Sequence, residues 1–134
     1  MERVTGIGGF FFRAEDPGRL AEWYAAMLGV DEVPQSYGEP PWMPEGGPTV
    51  FAPMGRDTAM LGEPSKTWSI NFRVGDLAAM VGQLRGAGVE VEVDPEHYPN
   101  GYFASLQDPE GNVVQLWEPD EATEAAEAAE AAND

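Results

Sequence analysis

Cysteine is absent from the 134 residues. That excludes disulfides, thiolate metal sites and a cysteine nucleophile, and it fits a cytoplasmic protein. Positive charge is scarce: seven Lys and Arg stand against 24 Asp and Glu, for a net charge of −17. So few basic residues make no nucleic-acid patch, and a field of this sign repels phosphate backbones and anionic membranes. With a single histidine, His97, no Ser-His-Asp order can be argued. No apolar run approaches the roughly 18 residues a membrane helix needs. The opening MERVTGIGGFFFRAED has neither the basic region nor the cleavage site of a signal peptide. Its GIGG precedes no helix and so is no phosphate loop. These absences leave a soluble, cytoplasmic protein with neither nucleic acid nor membrane as partner.

What is present is enough for one domain with a modest core: 43% hydrophobic and 10% aromatic residues. Residues 118–134 hold seven acids and no base, and the remaining body still carries −10. This acidity either keeps the protein soluble or favours cationic ligands. The end of the chain, EATEAAEAAEAAND, is Ala/Glu low complexity. Alanine favours helix, but glutamates at every third position repel one another. Residues 120–134 read as an acidic tail, a frayed helix or a disordered segment, without chemistry.

The body repeats itself. FFRAEDPGRLAEWY (11–24) and NFRVGDLAAMVGQL (71–84) share Phe-Arg-x-x-Asp at a spacing of 60. Each reads as a strand ending at an aspartate that caps a helix, and Pro17 suits a first helical position. Leu20, Trp23, Tyr24 and Met27 make one apolar stripe; Leu77, Met80, Val81 and Leu84 make the other. Both helices stop at a glycine before a valine, in LGV (28–30) and AGV (87–89). AMLGEP (59–64) is echoed by VQLWEP (114–119). Further strands are expected at 32–37, 48–54 and 58–62 in one half, and at 89–93, 101–107 and 112–118 in the other. Each half is thus βαβββ. Modules of about 4–64 and 66–119 form one domain, 1–119, of α+β class. They are expected to build a curved, incompletely closed eight-stranded sheet with helices outside and a cavity inside.

With DPEGNVVQLWEP (108–119), a turn leading into an alternating strand, this arrangement resembles the glyoxalase / bleomycin-resistance / extradiol-dioxygenase (vicinal oxygen chelate) superfamily. The resemblance covers about residues 4–119. It implies a cavity that, in metal-dependent relatives, holds a divalent ion on His, Glu or Gln from the first and last strand of each module. Carried onto this chain, those positions are Gly9, Met60, Ser69 and Gln115. Glycine has no donor, methionine is soft and neutral serine is poor, so one amide remains, and no metal or other cofactor is expected.

Gln115 then lines a pocket as a hydrogen-bonding group, or faces solvent on an open sheet. By the period of two, Phe11 and Arg13 share the face of Gly9, Asn71 and Arg73 that of Ser69, and Trp117 that of Gln115. Phe10, Phe12, Ile70 and Phe72 are expected to face the helices. Arg13 and Arg73 either enter the pocket or pair with Asp16 and Asp76. Trp42, in the Pro/Gly-rich loop 34–48, is a lid residue or a dimer contact. His97 is a solvent-facing loop residue or a general base at the rim. The ligand-binding set is therefore Gln115, Trp117, Ser69, Asn71, Phe11, Arg13, Arg73, Trp42 and His97, with no catalytic residue assigned. Three functions fit: a metal-free binder of a cationic or aromatic small molecule, working as a homodimer; a lyase, isomerase or ring-cleaving dioxygenase; or a structural dimer module with a vestigial pocket.

Overall fold

A computed structural model describes residues 1–120; the acidic tail beyond Asp120 lies outside the described residues. The order is α1 (Pro17–Leu28), β1 (Ile70–Arg73), α2 (Leu77–Gly86), β2 (Glu92–Val93), β3 (Gly101–Gln107) and β4 (Val113–Pro119). The class is α+β. One open, mixed sheet runs β1-β4-β3-β2, with β1 parallel to β4 and the other pairs antiparallel.

Both helices begin where the aspartates demand. Asp16 accepts from Arg19 N–H at 3.1 Å and Asp76 from Ala79 N–H at 3.0 Å, each satisfying an orphan amide worth about 1 kcal/mol. A second carboxylate reaches each terminus from the far end of the chain. Glu110 accepts from the N–H groups of Glu15 and Asp16 at 2.8 and 3.1 Å, and Glu118 accepts from Leu77 N–H at 2.8 Å. Helix α1 ends as the glycine signal requires, with Gly29 left-handed at φ 72°.

The helices bury their stripes on one sheet face. Leu20 and Tyr24 of α1 join Leu77, Val81 and Leu84 of α2 against Val91, Ala104, Leu106, Val114 and Leu116. Ile70 and Phe72 pack at the margin of this core, as their alternation requires. Phe10 and Phe12 depart from expectation. They cluster on Trp68, with ring centroids 5.3 and 4.5 Å away, and stay partly exposed outside the buried core.

The DPEGN turn is a hub. Asp108, 5% exposed, accepts from Tyr24 O–H at 2.7 Å, from Glu110 and Asn112 N–H at 2.9 and 3.0 Å, and from Asn112 Nδ2 at 2.8 Å. Lys66 Nζ donates to Glu110 O and Asn112 Oδ1 at 2.9 and 3.1 Å. The turn therefore ties α1, the segment leading into β1, and β4 together. Burial, then the hydrogen bond and charge of Asp108, raise the Tyr24 hydroxyl above its ordinary pKa.

The two halves differ in regular structure. In the second, the expected strands 101–107 and 112–118 appear as β3 and β4, and 89–93 shortens to β2. In the first, α1 forms, whereas the stretch before Asp16 and the segments 32–37, 48–54 and 58–62 carry no ladder. Main-chain bonds in that region close local turns, such as Thr58 N–H to Gly55 O and Gly62 N–H to Ala59 O. A strand exists only as a pair. Here Pro and Gly interrupt the segments, and no neighbouring strand of the four-stranded sheet takes them up. Their apolar side chains stay outside the core, Phe51 at 86% exposure and Phe11 at 92%.

Candidate functional site

The sheet face away from the helices carries Asn71, Arg73, Gln115 and Trp117, whereas Gly9, Phe11 and Arg13 lie outside the sheet. Pairing places the face's residues in two rows, the first across all four strands and the second across β1, β4 and β3. Asn71 stands opposite Gln115, Gln115 opposite Ser105, and Ser105 opposite Glu92. In the next row Arg73 stands opposite Trp117 and Trp117 opposite Phe103, and Asp94 N–H donates to Phe103 O at 3.0 Å. Each row thus ends on a carboxylate at its β2 side. A hollow of about 220 Å³ lies there, lined by Glu92, Asp94, Phe103, Ala104, Ser105 and Gln115.

Gln115 faces this hollow rather than the core. Its Oε1 accepts from Asn71 Nδ2 at 2.7 Å, so one amide–amide hydrogen bond joins the two side chains across β1 and β4. Trp117 is 4% exposed and donates from Nε1 to Asn100 O at 2.7 Å. Phe103 lies parallel to it, with centroids 6.2 Å apart and planes 2° apart. Tyr98 packs edge-on against Phe103 at 5.8 Å, and its hydroxyl donates to Asp94 Oδ2 at 2.8 Å. That hydrogen bond is the main reason the Tyr98 phenol is pushed up to about 12.

The side chains of the other candidates engage other partners. Ser69 Oγ donates to the main-chain oxygen of Val113 at 2.8 Å. Arg73 Nη1 donates to Pro48 O and Thr49 Oγ1 at 2.6 and 3.1 Å, and Nη2 to Glu45 O at 2.7 Å. Its partners are thus loop oxygens, not Asp76. Trp42 meets Phe72 edge-on at 6.3 Å, and that same Phe72 ring packs edge-on against Tyr24. His97 stacks on Tyr102 at 4.1 Å, and its Nε2 lies 2.8 Å from Asp120 Oδ1. Tyr102 follows the period of Ala104 and Leu106, so His97 stands apart from the lining of the hollow. Phe11 is exposed and its ring lies over Gly9, where an added Cβ would come within 2.9 Å of Phe11 Cζ. Arg13 is exposed before α1.

The four positions that the resemblance gives for metal ligands do not suit a divalent ion. Gly9 has no donor, Met60 is exposed, Ser69 engages the backbone and Gln115 engages Asn71. Among the described residues, no three His, Cys, Asp or Glu side chains converge as such an ion requires.

Glu92, Asp94, Phe103 and Ser105 of the hollow are missing from the sequence-derived set. The register of the hairpin carried the signal. The five-residue turn 108–112 sets Gln107 opposite Val113, and counting back from there puts Ser105 opposite Gln115.

A family model, described as a glyoxalase-like domain, matches residues 9–117. The chain belongs to the glyoxalase-like domain family. Solved structures agree on the fold of this glyoxalase-like chain. TnmS3, an antibiotic binding protein from Streptomyces sp. CB03234, superposes with a TM-score of 0.60 at 18% identity, over 90% of this chain and 100% of that one. A glyoxylase/bleomycin resistance protein/dioxygenase domain from Frankia sp. EAN1pec gives 0.57 at 16% identity, over 88% and 100%. None of the curated proteins matches the glyoxalase-like chain in sequence. No helix among the described residues is long and apolar enough to cross a membrane.

Proposed function

We propose that this glyoxalase-like chain is a metal-free small-molecule-binding protein that sequesters a cationic, aromatic compound on the open sheet face. The observation that carries this is the pair of cross-strand rows. They set the aromatic rings of Phe103 and Trp117 and the amides of Asn71 and Gln115 beside the carboxylates of Glu92 and Asp94. A planar ring packs on the edge and face of Phe103. An ammonium or guanidinium meets Glu92, and Gln115 donates to a carbonyl of the ligand. The fold relative TnmS3 is an antibiotic binding protein, and an occupant of that class suits these groups.

A thermal-shift screen with cationic aromatic antibiotics and small diketones tests the proposal. A compound at 100 times its Kd adds about 2.7 kcal/mol to the native state, so a hit raises Tm by several degrees. Glu92→Gln is expected to weaken a cationic hit about tenfold, the loss of one charge-assisted bond. Elemental analysis runs alongside. A stoichiometric divalent ion that is lost in Gln115→Ala sinks the reading, as does a hit indifferent to both substitutions.

The finer architecture belongs to the same proposal. The first module's segments, with Val50, Phe51 and Met60 exposed, ladder into the eight-stranded, two-module sheet when a second copy completes a cytoplasmic homodimer. Sedimentation equilibrium is expected to return twice the 14.5 kDa chain mass. A monomer at tens of micromolar contradicts it.

A further inference from the structure

We propose that Arg73 is a positioning residue: it latches segment 45–49 over the outer edge of β1, and Gly47 is the residue that permits the latch. β1 is an edge strand of the sheet. Arg73 closes it on the open face, opposite Trp117. Its guanidinium bridges the main-chain oxygens of Glu45 and Pro48 and adds Thr49 Oγ1. A planar fork that holds two carbonyls three residues apart fixes the path between them, which a single ammonium cannot do.

Gly47 lies between those anchors. A Cβ there would stand 2.8 Å from Arg73 Nε, 3.1 Å from Cζ and 3.4 Å from Cδ. The loop main chain therefore comes close against the guanidinium group, and while Arg73 holds its loop partners the demand for glycine is one of space. Phe72, the neighbour of Arg73, projects to the opposite face and meets Trp42. Two successive residues of β1 thus grip one segment from both sides, so residues 42–49 wrap the strand edge.

The wrap has two consequences. It covers an edge that would otherwise present unpaired main-chain groups to another strand. It also engages the positive charge nearest the open face with carbonyls. Walled on its β1 side and acidic on its β2 side, that face disfavours anionic ligands. This second consequence rests on the proposed binding face; the latch itself does not.

The test uses the full chain without ligand. Chymotrypsin cuts after Phe51, which is exposed two residues beyond Thr49, and mass spectrometry follows that cut. Arg73→Ala is expected to speed it about tenfold, because cleavage needs the segment to leave its seat. Gly47→Ala, which keeps the charge, is expected to speed it severalfold. Arg73→Lys falls between Arg73→Ala and the parent. Urea midpoints near the parent's show that the core is intact. Should Arg73→Ala unfold the chain, Gly47→Ala carries the test alone. Cleavage after Phe51 at the parent rate in Gly47→Ala, or equal acceleration at sites within 101–119, overturns the latch. A protein that held this segment and bound no small molecule would still pass, so the two proposals fail separately.

Discussion

Asp108→Ala is expected to lower the stability of the fold by about 3–5 kcal/mol, a large part of the 5–15 kcal/mol typical of a domain. The carboxylate accepts four hydrogen bonds while nearly fully buried. Removing it orphans the Tyr24 hydroxyl and both Asn112 donors, and each buried, unpaired donor costs about 1–3 kcal/mol. The sum stops short of additivity because the vacated space admits water. Tyr24→Phe deletes one charge-assisted bond and is expected to cost about 1.5–3 kcal/mol. Urea midpoints of the two variants and the parent check the order. Asp108→Ala no less stable than Tyr24→Phe would show that the turn is not the hub.

The same pair makes an alkaline prediction. The Tyr24 hydroxyl titrates above its ordinary range in the folded state. The native protein therefore keeps a proton that the unfolded chain releases near pH 10. Its contribution is complete below pH 10 and is lost as pH climbs further. Tyr98, pushed up to about 12, acts in the same direction between 10 and 12. Urea midpoints should thus fall above pH 10, and fall less steeply in Tyr24→Phe, where one of the two raised phenols is gone.

Gly101→Ala is the second large effect, expected at about 2–4 kcal/mol. Gly101 opens β3 at φ 131°, a conformation that side chains rarely adopt, and a Cβ there would be driven into the main-chain carbonyl of Glu118. Main chain cannot rotate aside as a side-chain end does. The strand end must therefore part from β4, and the loss reaches the site. Asn100, one residue earlier, holds Trp117 through its carbonyl, and Phe103, two residues later, lies parallel to Trp117. Near-ultraviolet circular dichroism of the variant is expected to lose tryptophan fine structure while far-ultraviolet helix signal persists. An unchanged urea midpoint would mean that β3 and β4 do not approach this closely.

The legible parts share a physical origin. Asp16 and Asp76 start helices, Gly29 ends one, and stripes such as Leu77, Met80, Val81 and Leu84 face a sheet. Capping and period are carried by residues within a turn or two of one another. DPEGN likewise marks the turn and the alternation of β4, so Gln115 and Trp117 fall on one face and Leu116 on the other. Glycine, methionine, serine and one amide at the positions that the resemblance gives for metal ligands are properties of composition, and no folding changes what atoms they offer.

Only the tertiary structure decided what pairs with what. Both copies of Phe-Arg-x-x-Asp look alike as sequence, yet the second joins a sheet and the first does not, because a ladder needs a partner strand and no local signal names one. Arg73 was an equal candidate for the pocket or for Asp76. Its three bonds go instead to a loop some 25 residues away. Glu92 meets Ser105 and Gln115 only through register across the sheet. Caps, turns and alternation were written in the chain because they act over a few residues. The hollow, the latch and the buried hub at Asp108 join residues tens of positions apart, and those contacts exist only once the chain has closed on itself.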